Sequence, residues 1–291
     1  MKHEQLYHQN LVKDWPNGAQ SQFVQIGHVH WHYQRMGPIG GTKLLLIHGT
    51  GASTHSYRDL MPLLAQAYDV LAIDLPGHGF TRVTRSQYLS LPGMVEAIGA
   101  LLQELNFPAD YVVGHSAGAA ILIEMCLRDV IAPKQLIGLN SAIRPIQGNA
   151  LFSPLAKLLF VNPFVPRLFN LQAKYGAATS QLLKATGSEI DAEGIRCYQQ
   201  LLEDKDHVSG ALGMMASWDL GHFREQFAEL DVPTTLISSE DDRMVPPSAS
   251  KDAVLKIPDA KYLSVPTGGH LLHEVAPEKV AEMIRTEFGG A

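Results

Sequence analysis

The chain is short of charge, of cysteine and of unbroken apolar runs, and each shortage removes a class of function. Charged residues are 18% of its 291 residues, against roughly 25% in an average soluble protein, which leaves more apolar surface than usual to be covered. The net charge is −6 with no basic run, so no nucleic-acid partner is expected. Cys126 and Cys197 are too few for a disulfide framework, and Cys126 falls in an apolar helical pattern as a small buried hydrophobe. The N-terminal Met1-Lys2-His3-Glu4-Gln5 lacks the apolar core of a secretory signal. The most apolar long stretch, 151–171, is interrupted by Pro154, Lys157, Pro163, Pro166 and Arg167, so it is not a simple membrane span. Peripheral contact with a membrane is the most that this stretch suggests, and a cytoplasmic location is the expectation. There is no His-Glu-x-x-His, no phosphate-cradling glycine loop and no dinucleotide fingerprint. No metal and no cofactor is therefore expected.

What the chain does have is an alternation of short β-branched runs with helical patterns. Strands are expected at 23–26 and 29–35, as an antiparallel pair around Gly27-His28, and then at 44–47, 70–73, 110–113, 136–139, 234–237 and 262–265. Helices are expected at 57–67, 91–105, after Ser116, at 247–256 and to about Phe288. Such alternation implies a mainly parallel sheet covered on both faces, with ligands bound at the carboxyl ends of the strands. The length suffices for one such core. Residues 143–231 break the rhythm with helical patterns at 155–160, 165–171, 195–202 and 211–218. They read as a helical cap inserted into a core of 1–142 and 232–291.

Gly114-His115-Ser116-Ala117-Gly118 stands at one strand end. Gly-x-Ser-x-Gly should arise by chance roughly 0.1 times in a chain of this length, but here a strand precedes it and a helix follows. A serine on so sharp a turn needs neighbours without side chains, and gains a hydroxyl raised above the sheet beside a helix N-terminus. A serine hydroxyl also needs a base, and the base an orienting acid. The order Ser, acid, His is met by Glu240-Asp241-Asp242 after one strand and by Gly268-Gly269-His270 after the next. Asp242, ahead of Pro246, is the acid of first choice, Asp241 its alternative, and Glu240 a third. Oxyanion donors are expected from the N–H groups of Ala117 and of Thr50 in His48-Gly49-Thr50-Gly51. Gly49, His115, Phe164 and Trp218 are candidates to line a substrate pocket. His28, His30 and His32 alternate on one strand face, and without a carboxylate or cysteine beside them they read as a solvated face rather than a metal site.

With these residues in place the chain resembles the α/β-hydrolase superfamily over essentially its whole length. The marks are His48-Gly49-Thr50-Gly51, Asp74-Leu75-Pro76-Gly77-His78-Gly79, the turn at Ser116, Asp242-x-x-x-Pro246 and Gly269-His270. Within it, Asp14-Trp15-Pro16-Asn17, Ala52-Ser53-Thr54-His55-Ser56, Phe80-Thr81, Ser90-Leu91-Pro92-Gly93-Met94 and Asn162-Pro163-Phe164-Val165-Pro166-Arg167 are similar to the magnesium-chelatase accessory proteins of bacteriochlorophyll-making bacteria. Serine at 116 departs from the aspartate of haloalkane dehalogenases and epoxide hydrolases. Gly51 departs from the epoxide-hydrolase His-Gly-x-Pro, and Ser239 from the glycine common three residues before the acid. The resemblance implies a mainly parallel sheet, a capped active site and a serine hydrolase acting on an ester or related acyl bond of an apolar small molecule. It leaves as alternatives an accessory protein that binds magnesium chelatase or a tetrapyrrole, and acyl transfer or lyase chemistry on the same fold.

Overall fold

The β-branched and leucine-rich runs become the inner strands of one sheet because each is buried on both faces. The computed structural model describes residues 12–144 and 177–289. Its strands are β1 (Ser21–Ile26), β2 (Val29–Met36), β3 (Lys43–Ile47), β4 (Asp69–Ile73), β5 (Arg82–Val83), β6 (Tyr111–His115), β7 (Gln135–Leu139), β8 (Thr234–Ser239) and β9 (Ala260–Val265). They form a nine-stranded sheet in the order β1-β2-β4-β3-β6-β7-β8-β9, with β5 paired to β2. From β4 to β9 the neighbours are parallel, while β2 runs antiparallel to β4 and to β1. Gly27, at φ +53°, makes the tight reversal between β1 and β2.

Successive strand residues point to opposite faces, so a strand covered on both sides must be apolar throughout. Leu45, Ile47, Leu71, Ile73, Val112, Leu136 and Leu236 pack with helices α2 (Leu91–Glu104) and α3 (Ala117–Leu127). Leu44, Leu46, Val70, Ala72, Val113, Ile137 and Ile237 pack on the other face, against α1 (Leu60–Leu64) and the C-terminal helix Pro277–Glu287. Helix α1 is shorter than the pattern suggests. Pro62 has no N–H to donate to the preceding turn, so the helix starts at Leu60 with the proline in its first turn. A 3₁₀ turn, Thr54–Tyr57, takes the place of the expected start.

Between β7 and β8 the described residues hold α4 (Ala177–Ala185), α5 (Ala192–Glu203), α6 (Lys205–Ser217) and α7 (Phe223–Gln226), and no strand. Helices α5 and α6 begin earlier than the apolar pattern because Asp191 and Asp204 cap them, accepting from Gly194 N and from Asp206 N and His207 N. The expected helices at 155–160 and 165–171 lie outside the described residues, as do Phe164 and the stretch 151–171. After β8 come α8 (Ser248–Val254), α9 (Leu272–Val275) and α10 (Pro277–Glu287).

The inserted helices are tied to the sheet's carboxyl edge. Arg58 Nη2 meets Asp191 Oδ1 at 2.9 Å, Arg82 Nη2 meets Asp204 Oδ2 at 2.5 Å, and Gly79 N donates to His207 Nδ1 at 3.0 Å. Helix α6 lies so near the 77 loop that a Cβ on Gly210 would fall 1.9 Å from Gly77 O. Among the described residues no helix is long and apolar enough to cross a membrane.

The expectation for the histidine stripe on β2 needs correcting. His28 and His30 are half-buried, but His32 is fully buried beneath Phe80 and bonded to Asp74. Strand alternation identifies the face on which a residue sits; it does not reveal that distant residues will cover that face.

Candidate active site

The turn from β6 into α3 has the strained geometry its glycines permit. Ser116 takes φ 53° and ψ −117°, its N–H donates to Leu139 O at 2.9 Å, and its carbonyl accepts from Ala142 N at 3.1 Å. A Cβ on Gly114 would lie 2.5 Å from Ala119 N, and one on Gly118 would lie 2.1 Å from Ile47 O. Strand and helix can therefore meet only if both positions lack side chains. Ser116 is 9% exposed, a hydroxyl set in a nearly closed site.

His270 and Asp242 reach this hydroxyl from the ends of the next strands. Ser116 Oγ stands 3.1 Å from His270 Nε2, and His270 Nδ1 stands 2.9 Å from Asp242 Oδ2. Burial pushes the Asp242 carboxyl up, but His270, the Val245 N–H and Asn140 together hold it below the ordinary carboxylate range. An ionised carboxylate only accepts, so Nδ1–H of His270 donates to it and Nε2 is left to accept from Ser116 O–H. Such a chain lets the ring take the serine proton while the carboxylate steadies the imidazolium. Asp242 Oδ1 also accepts from Met244 N at 2.8 Å and Val245 N at 3.0 Å. Asp241, the alternative acid, turns the other way: its carboxylate accepts from Gly269 N at 2.8 Å and Gly268 N at 3.3 Å. Glu240 pairs with Lys251 at 3.1 Å, away from the ring.

Across from the serine lies the loop after β3. Gly49 is so close that a Cβ there would fall 2.9 Å from Ser116 Cβ. The N–H groups of Thr50 and Ala117 donate to no acceptor among the described residues. Met214 of α6 covers this loop, its Sδ accepting from Thr50 Oγ1 at 3.4 Å.

The comparisons with known proteins agree with this architecture. Residues 44–283 match the alpha/beta hydrolase family. The chain belongs to that family. It is 38% identical over 279 residues to the magnesium-chelatase 30 kDa subunit of Rhodobacter capsulatus, covering 94% of this chain and 96% of that protein. It is 24% identical to the uncharacterized hydrolase YugF of Bacillus subtilis, with 88% and 93% covered. Among solved structures, an alpha/beta hydrolase fold protein from Burkholderia ambifaria superposes with a TM-score of 0.77 at 22% identity, over 91% of this chain and 97% of that one.

Several residues that brace the site of this alpha/beta hydrolase carry no obvious sequence signal. Asn140, at φ 46° just past β7, donates from Nδ2 to Asp242 Oδ2 at 2.7 Å and to Gly269 O at 3.2 Å, so it spans the acid and histidine loops. Its place at a strand end, on the same edge as the other site residues, is the only hint the sequence offers. Ser239 donates to Gly269 O as well, which gives a use to the side chain standing where the family more often has glycine. His115, expected to line a pocket, is 2% exposed and sits behind the turn. Its Nε2–H donates to His270 O at 2.9 Å, and burial drives its ring down to about 3, so it is neutral. Trp218 is half-buried and packs on the large core cluster beside α2 and α3.

Asp74 is the anchor of the 48–56 loop. It is fully buried; Oδ1 accepts from Thr54 N at 2.7 Å, while Oδ2 accepts from Phe80 N at 2.8 Å and faces His32 Nδ1 at 2.7 Å. Burial raises its pKa, but His32, His48 and the Phe80 N–H outweigh that and hold it far below the usual range. Ser21 Oγ meets the far nitrogen of His32 at 2.9 Å. Removing the carboxylate leaves Thr54 N, Phe80 N and His32 Nδ1 without their acceptor, at about 3–5 kcal/mol in all, since one stranded buried group costs about 1–3 kcal/mol. Asp74→Ala is expected to lower unfolding free energy by about that amount, read from the urea midpoint at constant m-value. A shift under about 1 kcal/mol would mean the anchor is dispensable.

Proposed function

We propose that the protein is a serine hydrolase that cleaves an ester or related acyl bond of an apolar small molecule. The observation that carries the reading is the hydrogen-bonded path from Ser116 Oγ through His270 to Asp242. In the proposed cycle Ser116 Oγ attacks the acyl carbon as its proton passes to His270 Nε2. Asp242 orients the ring and stabilises its charge. The N–H groups of Thr50 and Ala117 receive the developing oxyanion. His270 then protonates the leaving alkoxide, and an acyl-enzyme remains. Water gives a proton to His270 as it attacks, and that proton returns to Ser116 when the acid leaves.

Residues 143–231 serve as a cap in this proposal, over a core of 1–142 and 232–291. Met214 over the Thr50 loop and the low charge fraction favour an apolar acyl group. An active-site fluorophosphonate is expected to label wild-type protein at Ser116 and to leave Ser116→Ala untouched. Equal labelling of the two, or none of the wild type, would overturn the reading. A panel of short and long acyl esters, run beside Ser116→Ala, would then rank substrates.

The 38% identical relative named as a magnesium-chelatase subunit supports a second reading. In it the chain assists magnesium insertion as an accessory protein, binding the chelatase or a tetrapyrrole, and the serine is idle. Pigment synthesis in a host carrying only Ser116→Ala discriminates. Full complementation favours binding, and loss at normal protein level favours catalysis.

A further inference from the structure

The segment joining α4 to α5 makes contacts that the proposed chemistry leaves unexplained. Thr186 O accepts from His270 N at 3.1 Å and from Arg243 N at 3.4 Å. Two residues on, Ser188 Oγ donates to Gly268 O at 2.9 Å and accepts from Leu271 N at 2.8 Å. Ser188 is 2% exposed, and the packing is tight between backbones: a Cβ on Gly269 would fall 2.3 Å from Gly187 C, and one on Gly187 would fall 2.8 Å from Asp241 O. Both glycines have positive φ, +62° at 269 and +84° at 187, so neither site accepts a larger residue without strain.

We infer that Ser188, supplied by the helices inserted between β7 and β8, is a positioning residue for His270. His270 follows two glycines, Gly268 at φ +145° and Gly269 at φ +62°, and such a pair leaves the ring on a hinge unless something fixes it. The core fixes one side. Asp241 takes the N–H groups of Gly268 and Gly269, Asn140 and Ser239 donate to Gly269 O, and His115 donates to His270 O. The N–H groups of His270 and Leu271 go instead to Thr186 O and Ser188 Oγ. The loop is therefore clamped between the sheet and the inserted helices, and Ser188 bonds to it on both sides of the ring. Because Thr186 O also takes Arg243 N, beside Asp242, the same segment registers base and acid against each other. Seating of the inserted helices and alignment of Nε2 on Ser116 Oγ are one event.

This inference rests on the serine-hydrolase reading, and its test keeps the two apart. The variants are Ser188→Ala and Ser188→Thr in the full chain. Their readouts are the rate of fluorophosphonate labelling at Ser116 and kcat and KM for a p-nitrophenyl ester. A misplacement of the order of 1 Å costs about 100-fold in rate, so Ser188→Ala should lose about 10- to 100-fold in kcat and in labelling with KM nearly unchanged. Ser188→Thr keeps the hydroxyl and should recover most of the rate. The downfield proton resonance of the His270–Asp242 hydrogen bond should broaden or move upfield in Ser188→Ala and return in Ser188→Thr. Should the alanine variant not fold, Ser188→Cys, which keeps a side-chain atom in place but is a weak donor and acceptor in both bonds, carries the same expectation. A wild type that is never labelled at Ser116 defeats the hydrolase reading itself. A labelled wild type with a folded, equally fast Ser188→Ala defeats the positioning role alone, as does a Ser188→Thr that recovers nothing.

Discussion

Asp242→Asn is expected to lower kcat by about 10⁴-fold, the scale set by loss of the orienting acid in a serine triad. The physical reason is the tautomer. With a carboxylate at 2.9 Å, His270 keeps its proton on Nδ1 and presents a lone pair to Ser116 Oγ. An amide in the same place can offer an N–H, which turns the ring to the opposite tautomer and leaves nothing to accept the serine proton. The backbone around residue 242 should survive, because the amide oxygen can still take Met244 N and Val245 N, now at 2.8 and 3.0 Å. Asp241→Asn should behave differently. One oxygen remains for Gly269 N, at 2.8 Å, and only the longer bond from Gly268 N, at 3.3 Å, is lost. A loss within about tenfold is expected there, the size of one net hydrogen bond. Steady-state kinetics on any ester that wild type turns over will decide the order. If Asp241→Asn suffers the larger loss, the acid role passes to Asp241.

That comparison marks the limit of what the sequence made legible. The inner strands were readable because burial on both faces leaves no room for polar residues in 44–47 or 70–73. Ser116 was readable because its strain demands glycine on both sides, and Gly114 and Gly118 have no space for a Cβ. The choice between Asp241 and Asp242 was not, since adjacent residues leave the backbone in different directions and only the fold decides which one meets the ring. Asn140 and Ser188 were missed for a related reason. Each works through bonds to segments far along the chain, and no local pattern accompanies them. His32 was misread because its cover comes from Phe80 and its hydrogen-bond partner, Asp74, from the loop after β4, both distant in sequence.

Acid should unfold this protein at a pH well above the carboxylate range. His48, His55, His78, His115, His207 and His273 are buried, and burial lowers the pKa of all six, to about 3 for His78 and His115. In the unfolded chain each would titrate near 6.5. Below that value the unfolded state binds more protons than the folded one, so the stability these rings allow is present above pH ~6.5 and is lost as pH falls through it toward the folded values. A ring whose folded pKa lies well below the working pH costs up to about 1.4 kcal/mol per pH unit, and His55, His78, His115, His207 and His273, all held well down, together cost several times that. A typical domain has only about 5–15 kcal/mol in hand. Glu274 opposes the trend. Burial raises it to about 7 against the pull of Arg58 and Tyr198, so it favours the folded state as pH falls from 7 toward its unfolded value. One such group offsets only part of six. Asp74 and Asp242, both held low, add their losses only further down, as pH falls through the ordinary carboxylate value toward their folded ones. The unfolding midpoint is therefore expected near pH ~5, with several protons taken up, as measured by fluorescence-detected urea melts from pH 7.5 to 5. Stability that stays flat across that range would sink the idea. His273, with no hydrogen-bond partner for either nitrogen among the described residues, gives the sharper check. His273→Leu should shift the acid midpoint downward and reduce the proton uptake by about one. A leucine packed on the His115 and Tyr57 rings leaves no unpaired N–H or lone pair of its own, so the gain should come without loss of stability at neutral pH.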